Sequence, residues 1–350
     1  MLNKKTVILA LTDGKAGHET QTQGLIQILN QHQQYDVEWV VLKLPSKLSF
    51  KIIRFLLKFS LNTIWLKYFF DLEQLFKISN SDVRYIVSAG GNTLVANALL
   101  KKYLSITAQY PIQNIVASSL RGVYAHYFDA VLTIHAEQQN LPHYVYYPIA
   151  PNKMTASGFN QEQARKNLGI LDQAFVITVL IGADTKTVKI GSSQKWAKAL
   201  SQIRQNYPTA QLLLSSSRRS SIEFEKDLNR YAEEKCIFQN SDQIVWVAQG
   251  QNCEIKDFIQ AANWVLVSPD STSMVAEVIM AEKKVLIFDS SNILDKNIKK
   301  QLAFLELDKQ LAFWDVEKDI PIQFLLNNIH LKSHNLKLQK VLQKKINFFG

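Results

Sequence analysis

Short apolar, β-branched runs alternate with helical patterns along most of this chain, and no other feature constrains its fold as strongly. Such alternation is typical of parallel sheets built from βαβ units. The rhythm stops at residues 147–152, where two prolines and a polar end indicate a joint between domains, and then starts again. The predicted strands are Thr6–Leu11, Val37–Leu42, Arg84–Ala89, Asn114–Ala117, Ala130–Ile134, Phe175–Leu180, Gln211–Ser215, Gln243–Val247, Trp264–Ser268 and Lys284–Phe288.

Two domains of similar size follow from this pattern, since 350 residues are too many for one ordinary core. We predict an α/β fold with one domain over residues 1–150 and a second over residues 151–319. The first crossover helix is predicted over Thr20–His32. The tail, residues 320–350, contains no acidic side chain. We expect Ile320–Phe349 to form one long basic helix that packs back on the N-terminal domain.

The formal net charge of +10 favours an anionic partner such as a phosphorylated substrate, acidic lipid or nucleic acid. Nucleic acid is disfavoured because the basic residues interleave with aliphatic ones and form no aromatic platform. The two cysteines have no metal-ligand spacing, which fits a reducing compartment. The first apolar run is too short for a secretion signal, and no long uncharged stretch could span a bilayer. We therefore expect a cytoplasmic protein.

The loop after the first predicted strand, residues 12–19, gathers several ionisable side chains and two glycines. Glycines permit close backbone approach, and the following helix N-terminus can hold an anion. Histidine is suited to proton transfer near neutral pH, so we expect His18 to be a general base. Asp13 would orient its imidazole or act as the base itself. The other residues predicted to contact ligand here are Gly14, Lys15 and Gly17.

A second loop, residues 88–93, also joins a strand to a helix. Its glycine pair suits either close contact with a ligand or packing alone. Arg121, after the fourth strand, suits either an anionic acceptor or a structural salt bridge. The residues predicted to contact the acceptor are Gly90, Gly91, Asn92 and Arg121.

Three loops of the second domain suit a phosphorylated donor. Gly182 follows that domain's first strand, and Arg218 and Arg219 can offer bidentate donors to phosphate. Helix N-terminal N–H groups near residue 271 can hold a diphosphate, while Glu277 could accept from ribose hydroxyls. A capped helix with an ordinary surface glutamate is the alternative. The remaining predicted donor residues are Ser271, Thr272 and Ser273.

Four motifs in this order resemble the plant mitochondrial-fission "elongated mitochondria" family and its bacterial relatives, described as glycosyltransferases and in some cases linked to lipooligosaccharide outer-core loci. The motifs are Asp13–His18 with Gln21 and Gly24, Ser88–Gly90, Ser215–Arg219 and Asp270–Glu277. The resemblance implies a GT-B fold, in which two Rossmann-like domains face each other across a cleft and the C-terminal one binds the donor. This chain departs from the family pattern at Gly91–Thr93 and at Gly182–Ala183.

The resemblance also bears on cofactors. GT-B enzymes generally use no metal, and this sequence contains no Asp-x-Asp triplet. We therefore expect no metal and no cofactor, with a nucleotide-sugar as donor substrate. The first loop is also similar to the glycine-rich loop of the membrane-associated transferase that makes lipid II, which suggests that His18 faces the cleft.

A basic stretch without acidic residues runs from residue 43 to residue 70. Basic amphipathic helices bind anionic membranes in the interface plane. A buried helix with one solvated stripe is the alternative. The membrane interpretation predicts a peripheral protein on the inner face of the cell membrane with a lipid-linked or glycolipid acceptor. The basic residues at helical spacing on one face are Lys47, Lys51, Arg54 and Lys58.

These features together predict a metal-independent glycosyltransferase that acts in lipooligosaccharide or cell-surface polysaccharide synthesis. Two alternatives stay open. One is a non-enzymatic membrane adaptor of the mitochondrial-fission type. The other is a sugar-nucleotide epimerase, which has the same two-domain design.

Overall fold

The computed structural model of this chain describes residues 6–31, 34–155, 160–289, 291 and 293–346. The chain divides into two compact units. Unit 1 comprises Met1–Ser157 and Asn335–Gly350, and unit 2 comprises Gly158–His334. The predicted boundary after residue 150 lies close to this division. The predicted start of the tail at residue 320 lies before the end of unit 2.

Unit 1 is built on a sheet of six parallel strands in the order β2-β1-β3-β4-β5-β6. Its strands are β1 Thr6–Thr12, β2 Asp36–Val41, β3 Asp82–Ala89, β4 Gln113–Ala117, β5 Ala130–Thr133 and β6 Tyr144–Tyr146. Its helices before the crossing to unit 2 are α1 Ala16–Leu29, α2 Lys47–Leu56, α3 Leu72–Ser79 and α4 Leu94–Leu104. Short 3-10 turns lie at Thr63–Tyr68, Ala125–Tyr127, Ala136–Gln138 and Lys153–Thr155.

Unit 2 contains a second sheet of six parallel strands in the order β12-β11-β10-β7-β8-β9. Its strands are β7 Val176–Leu180, β8 Gln211–Ser215, β9 Gln243–Val245, β10 Trp264–Val267, β11 Lys284–Phe288 and β12 Ala312–Trp314. Its helices are α5 Gln161–Leu168, α6 Ser193–Asn206, α7 Ile222–Glu234, α8 Ile255–Ala261, α9 Thr272–Met280, α10 Lys296–Leu307 and α11 Ile322–Asn327, while α12 His334–Gln343 continues into unit 1. The predicted α/β fold with two Rossmann-like sheets is confirmed.

Each sheet has one point at which the strand order reverses direction. In unit 1 it lies between β1 and β3, and in unit 2 between β7 and β10. Ligands of open α/β sheets bind beyond the carboxyl ends of the strands at such a point. The loops that leave these four strands are therefore the first places to examine for a site.

The central strands are buried on both faces, as expected for parallel sheets covered by helices. Every residue of β4, β7 and β10 is buried. In unit 2 the core includes Trp196 and Trp264, which are almost fully buried. Burial of such large apolar side chains stabilises the strands and so holds the loops at their ends in fixed positions.

Two predicted elements differ from the structure. Helix α1 begins at Ala16 and not at Thr20, so His18 lies in its first turn; residue 32, the predicted end, lies outside the described residues. The expected single tail helix Ile320–Phe349 is wrong, because α11 and α12 are separate. Between them the His330 N–H donates to the carbonyl of Lys309 at 2.7 Å instead of continuing a helix, and residues 347–349 lie outside the described part.

None of the helices among the described residues has the length and apolar character needed to cross a membrane.

Candidate functional site

The loop after β1 brings Asp13 and His18 into direct contact. The Nδ1 atom of His18 lies 2.8 Å from Oδ1 of Asp13. The Asp13 side chain is inaccessible to solvent, whereas 26% of the His18 side chain is exposed. Because an ionised carboxylate only accepts, this contact places the proton of the neutral imidazole on Nδ1. The structure therefore brings the two predicted residues together, and their roles as base and orienting residue stay predictions.

Asp13 is held from a second side by the loop after β3. The amide of Asn92 donates to Oδ2 of Asp13 at 2.8 Å. Burial alone would raise the pKa of Asp13, but hydrogen bonds from His18 and Asn92 outweigh it and lower the pKa below its ordinary value. Asp13 is thus kept as an anion, which suits orientation of the imidazole and not removal of a proton from substrate.

Two glycines of the loop after β3 make room for the side chains of His18 and Arg121. A Cβ atom on Gly90 would overlap the ring of His18, and Gly90 also has a φ of +85°. A Cβ on Gly91 would lie 2.6 Å from Cδ and Nε of Arg121. The structure therefore brings Gly90, Gly91, Asn92 and Arg121 together with the Asp13–His18 pair.

The other residues of the first loop have different surroundings. Lys15 is largely exposed, and its Nζ lies 3.9 Å from Asp13. The N–H of Gly14 donates to the hydroxyl of Thr12, which itself donates to Glu19 at 2.8 Å. A Cβ on Gly17 would meet no atom within 4 Å, so packing alone does not require glycine there.

In unit 2 the buried carboxylate that resembles Asp13 of unit 1 is Asp270. It follows β10, and its side chain is inaccessible to solvent. Its Oδ2 accepts from the N–H of Ala183 at 3.2 Å, and the Ser268 hydroxyl donates to its Oδ1 at 2.6 Å. A Cβ on Gly182 would overlap the Asp270 carboxylate. Glycine at position 182 is thus needed for the loops after β7 and β10 to meet.

The two predicted arginines have different environments. Arg219 donates to Oδ2 of Asp270 at 2.8 Å, although 56% of its side chain is exposed. The hydroxyl of Ser220, beside it, donates to the carbonyl of Gly182 at 2.9 Å. Arg218 is exposed. Arg219 thus connects the loop after β8 to the loop after β10, whereas Arg218 projects toward solvent.

Helix α9 starts directly after Asp270. Ser271 is its N-cap and accepts from the N–H of Met274 at 3.3 Å. Thr272 and Ser273 occupy the first turn, and Glu277 is half-buried further along. Since the N-terminus of a helix attracts anions, this end of α9 suits a diphosphate.

Two buried acidic residues of unit 2 were missed by the sequence reasoning. Asp289 follows β11, pairs with Lys195 and accepts from the hydroxyl of Ser291 at 2.5 Å. Glu225 is fully buried and accepts from the hydroxyl of Ser216 at 2.5 Å. The position of Asp289 at a strand end was a usable signal. For Glu225, inside an amphipathic helical pattern, there was none.

Helix α2 carries the predicted basic residues and also an exposed apolar stripe. The exposed apolar residues follow helical spacing on the face next to the basic one. Ile53 and Leu57 are buried and attach the helix to unit 1, and Lys58 lies just beyond its end at Leu56. The stripe consists of Leu48 at 69%, Ile52 at 49% and Phe55 at 56% exposure, followed just beyond the helix by Phe59 at 75%.

Solved structures that resemble the chain identify its fold. The structure of MurG from Acinetobacter baumannii is 12% identical, with a TM-score of 0.50 over 97% of this chain and 99% of that one. The UDP-GlcNAc 2-epimerase from Neisseria meningitidis, bound to UDP-GlcNAc, is 11% identical, with a TM-score of 0.50 over 97% and 98%. A UDP-glucosyltransferase from Polygonum tinctorium is 9% identical, with a TM-score of 0.50 over 98% and 94%. This protein therefore has the GT-B fold.

The family follows from the sequence itself. The model of the family described as Mitochondrial fission ELM1 matches residues 16–322, and the chain belongs to that family. The predicted family is thereby confirmed. No curated protein sequence matches the chain significantly.

Proposed function

We propose that this protein is a metal-independent glycosyltransferase that moves a sugar from a nucleotide-sugar to a glycan or glycolipid at a membrane. The observation that carries the proposal is the Asp13–His18 pair at the reversal point of the first sheet. An anionic Asp13 behind a partly exposed imidazole is the arrangement of an oriented general base. An adaptor without catalytic activity has no evident need for it.

In the proposed reaction, His18 accepts the proton of an acceptor hydroxyl through Nε2, because Nδ1 is engaged with Asp13. The hydroxyl oxygen forms a bond to the anomeric carbon as the bond from that carbon to the diphosphate oxygen breaks. The nucleoside diphosphate leaves with the electron pair of the broken bond. The imidazolium that forms is stabilised by the Asp13 carboxylate.

Unit 2 would bind the donor. The N-terminus of α9 and the exposed Arg218 supply positive charge for a diphosphate without a metal ion. Glu277 would accept from the ribose hydroxyls. Asp270 would act indirectly, because its contacts with Arg219 and the Gly182 loop hold the surrounding backbone in place. The names of two proteins of similar fold, a UDP-GlcNAc 2-epimerase bound to UDP-GlcNAc and a UDP-glucosyltransferase, are consistent with such a donor.

The acceptor would be presented at an anionic membrane surface on the cytoplasmic side. The apolar stripe of α2 supports this, since it could enter the interface while the neighbouring basic residues contact lipid phosphates. Lipooligosaccharide or another cell-surface polysaccharide would be the product class. Nucleic acid is not proposed as a partner.

Nucleotide binding is the first test. Unfolding would be followed by thermal shift with UDP, GDP, CMP and ADP and with their sugar conjugates, because a ligand of the native state raises the melting temperature. At a hundred times the dissociation constant we expect stabilisation of about 2.7 kcal/mol. If none of these compounds stabilises the protein, the transferase proposal is wrong.

A second measurement separates transfer from epimerisation. Purified protein would be incubated with the stabilising nucleotide-sugar, with and without glycolipid vesicles, and the products resolved by mass spectrometry and NMR. Acceptor-dependent release of nucleoside diphosphate supports a transferase. Conversion of the sugar to its epimer without acceptor would instead establish the epimerase alternative.

A further inference from the structure

A cavity of about 180 Å³ lies in unit 1 at the carboxyl ends of β4 and β5, next to α1. Its apolar wall includes Ala117, Leu132 and Ile149, and Gln21 and Ser118 add polar groups. It is smaller than the ~300–1,000 Å³ that is typical of pockets for drug-sized ligands. The size suits a single ring and not an extended chain.

Backbone contacts connect the lining of the cavity to the Asp13–His18 pair. The ring of His18 rests on Gly90, and the N–H of Gly90 donates to the carbonyl of Ala117, which lines the cavity. Gln21 follows His18 by one turn of α1, so both side chains lie on the same side of that helix. The cavity is therefore linked to the residues around the imidazole by one backbone hydrogen bond and by one turn of α1.

The chemistry of the lining selects a neutral, hydroxyl-bearing ligand. None of the lining residues is Asp, Glu, Lys or Arg, and the one lining histidine, His135, has its Nδ1 3.8 Å from the carboxylate of Glu137. A phosphate or carboxylate in the cavity would therefore find no unpaired counter-charge in the lining. The hydroxyl of Ser119 and the amide of Gln21 can both donate and accept, as sugar hydroxyls do. The hydroxyl of Ser118 donates to the carbonyl of Ser119 at 3.0 Å and can still accept. The Thr133 hydroxyl is already engaged, since it donates to Gln138 at 2.6 Å.

We propose that this cavity seats the accepting residue of the acceptor and that this residue is an uncharged monosaccharide unit. The role as acceptor seat rests on the proposed transferase function. The selectivity for a neutral sugar rests on the lining alone. Lipid or phosphate groups of the acceptor would remain outside the cavity.

The test uses the methyl glycosides of glucose, galactose and N-acetylglucosamine as probes, with methyl glucuronide as the charged counterpart. Their binding to the full chain would be followed by NMR of labelled methyl groups, with Ala117, Leu132 and Ile149 as reporters. We expect saturable shifts of these methyls with at least one neutral glycoside and weaker binding of the glucuronide. Absence of shifts with every neutral glycoside, or equal binding of the glucuronide, would overturn the inference.

Variants make the assignment specific. Gln21→Ala should weaken glycoside binding about two- to tenfold, the affinity equivalent of one neutral hydrogen bond. Ser118→Leu should abolish it by filling the space. Gln23→Ala, on the same helix but outside this cavity, is the matched control. If Gln21→Ala and Ser118→Leu both bind the glycosides as tightly as wild type does, the assignment is wrong.

The glycoside-binding measurement requires neither a nucleotide-sugar donor nor turnover. Its outcome can therefore be separated from the test of the proposed function. A protein that transfers sugar but binds no glycoside here would refute the cavity assignment alone. A protein that binds neutral glycosides here but neither binds nucleotide nor transfers sugar would refute the transferase proposal and leave the cavity as a sugar-binding site.

Discussion

The imidazole of His18 contacts the inaccessible carboxylate of Asp13 through Nδ1 at 2.8 Å, and Gly90 packs so closely against the same ring that a Cβ there would overlap it. Removal of the imidazole should therefore remove the proposed base without disturbing the donor loops of unit 2. We expect His18→Ala to lower turnover by roughly 10²–10⁴-fold, the usual contribution of general acid–base catalysis. The nucleotide-sugar dissociation constant, measured by calorimetry, should change little.

Asp13→Asn should lower turnover in the same way, because an amide cannot stabilise the imidazolium as a carboxylate does. The melting temperature of each variant would be measured on the same preparation as its transfer rate. If His18→Ala is fully active and stable, His18 is not the base and Glu19 becomes the candidate. If instead only stability falls, His18 has a purely structural role in the first turn of α1.

Substitution of Gly90 tests how closely the loop after β3 approaches His18. In Gly90→Ala the new Cβ would overlap the imidazole, and alanine at a φ of +85° adds strain of roughly 1–2 kcal/mol. We expect a melting temperature lower by several degrees and loss of the His18–Asp13 contact, seen in the imidazole NMR signals. Gly17→Ala, where a Cβ meets nothing within 4 Å, should be neutral or stabilising. Equal stability of the two variants would contradict the packing described.

Much of this geometry was predictable from the sequence, because parallel strands place their following loops at one sheet edge. The loops that contain Asp13, Gly90, Gly182 and Asp270 were recognised in this way. The pairings between loops were not predictable. Asn92 and Asp13 are 79 positions apart, and only the order of strands in the sheet makes them neighbours.

The remaining errors have local causes. The start of α1 was placed too late because Ala16–Glu19 resembles a polar loop, although Glu19 is a favourable first-turn residue. The three-residue strands β6 and β12 are too short to show alternation. The tail has a helical composition throughout, but the contact between His330 and Lys309 interrupts it.

Donor binding should depend on charge-assisted hydrogen bonds in unit 2. Arg218→Ala and Glu277→Ala should each weaken nucleotide-sugar binding about ten- to hundredfold, because each such bond contributes roughly 1.5–3 kcal/mol. Arg218→Ala should also weaken binding of the free nucleoside diphosphate. Arg230→Ala, a surface arginine of α7 paired within its own helix, is the control. Calorimetry that gives wild-type affinity for both variants would exclude these residues from the donor site.

Stability in acid should depend on Asp289. Burial raises its pKa, but hydrogen bonds from Lys195 and Ser291 outweigh this effect, so its pKa in the folded protein is below the ordinary value. The ionised carboxylate therefore stabilises the fold above a pH of about 4, and this contribution is lost as the pH falls through the folded pKa. Asp289→Asn should be clearly less stable than wild type at neutral pH, with a difference that shrinks in acid.

Urea midpoints measured across this pH range would check the prediction for Asp289. Asp227→Asn is the matched control, because Asp227 forms an exposed ion pair with Arg230. Exposed pairs contribute little, so this variant should follow wild type at every pH. A constant difference between Asp289→Asn and wild type down to low pH would show that ionisation of Asp289 does not stabilise the fold.

Membrane attachment should depend on both stripes of α2. Each basic residue near an anionic surface contributes about 1 kcal/mol, so four changes to glutamate should weaken binding by roughly a thousandfold. Vesicles that contain phosphatidylglycerol would be compared with phosphatidylcholine alone in a sedimentation assay. The variant carries glutamate at Lys47, Lys51, Arg54 and Lys58.

A control of equal charge separates local contact from net charge. It carries glutamate at four exposed lysines of unit 2, Lys226, Lys235, Lys299 and Lys300. We expect this control to bind the anionic vesicles nearly as wild type does, because screening limits charge effects to about 8–10 Å at physiological salt. If the control loses binding equally, net charge and not α2 is responsible.

The apolar stripe is tested separately, because its contribution persists at high salt while that of the lysines is screened. At high salt, where the basic residues contribute little, the double variant Phe55→Ser with Phe59→Ser should no longer bind vesicles. Both rings are more than half exposed and can enter the interface in the wild type. Leu307→Ser, which removes an 84% exposed leucine of unit 2, should have no effect. Wild-type binding by both α2 variants would show that this helix does not anchor the protein.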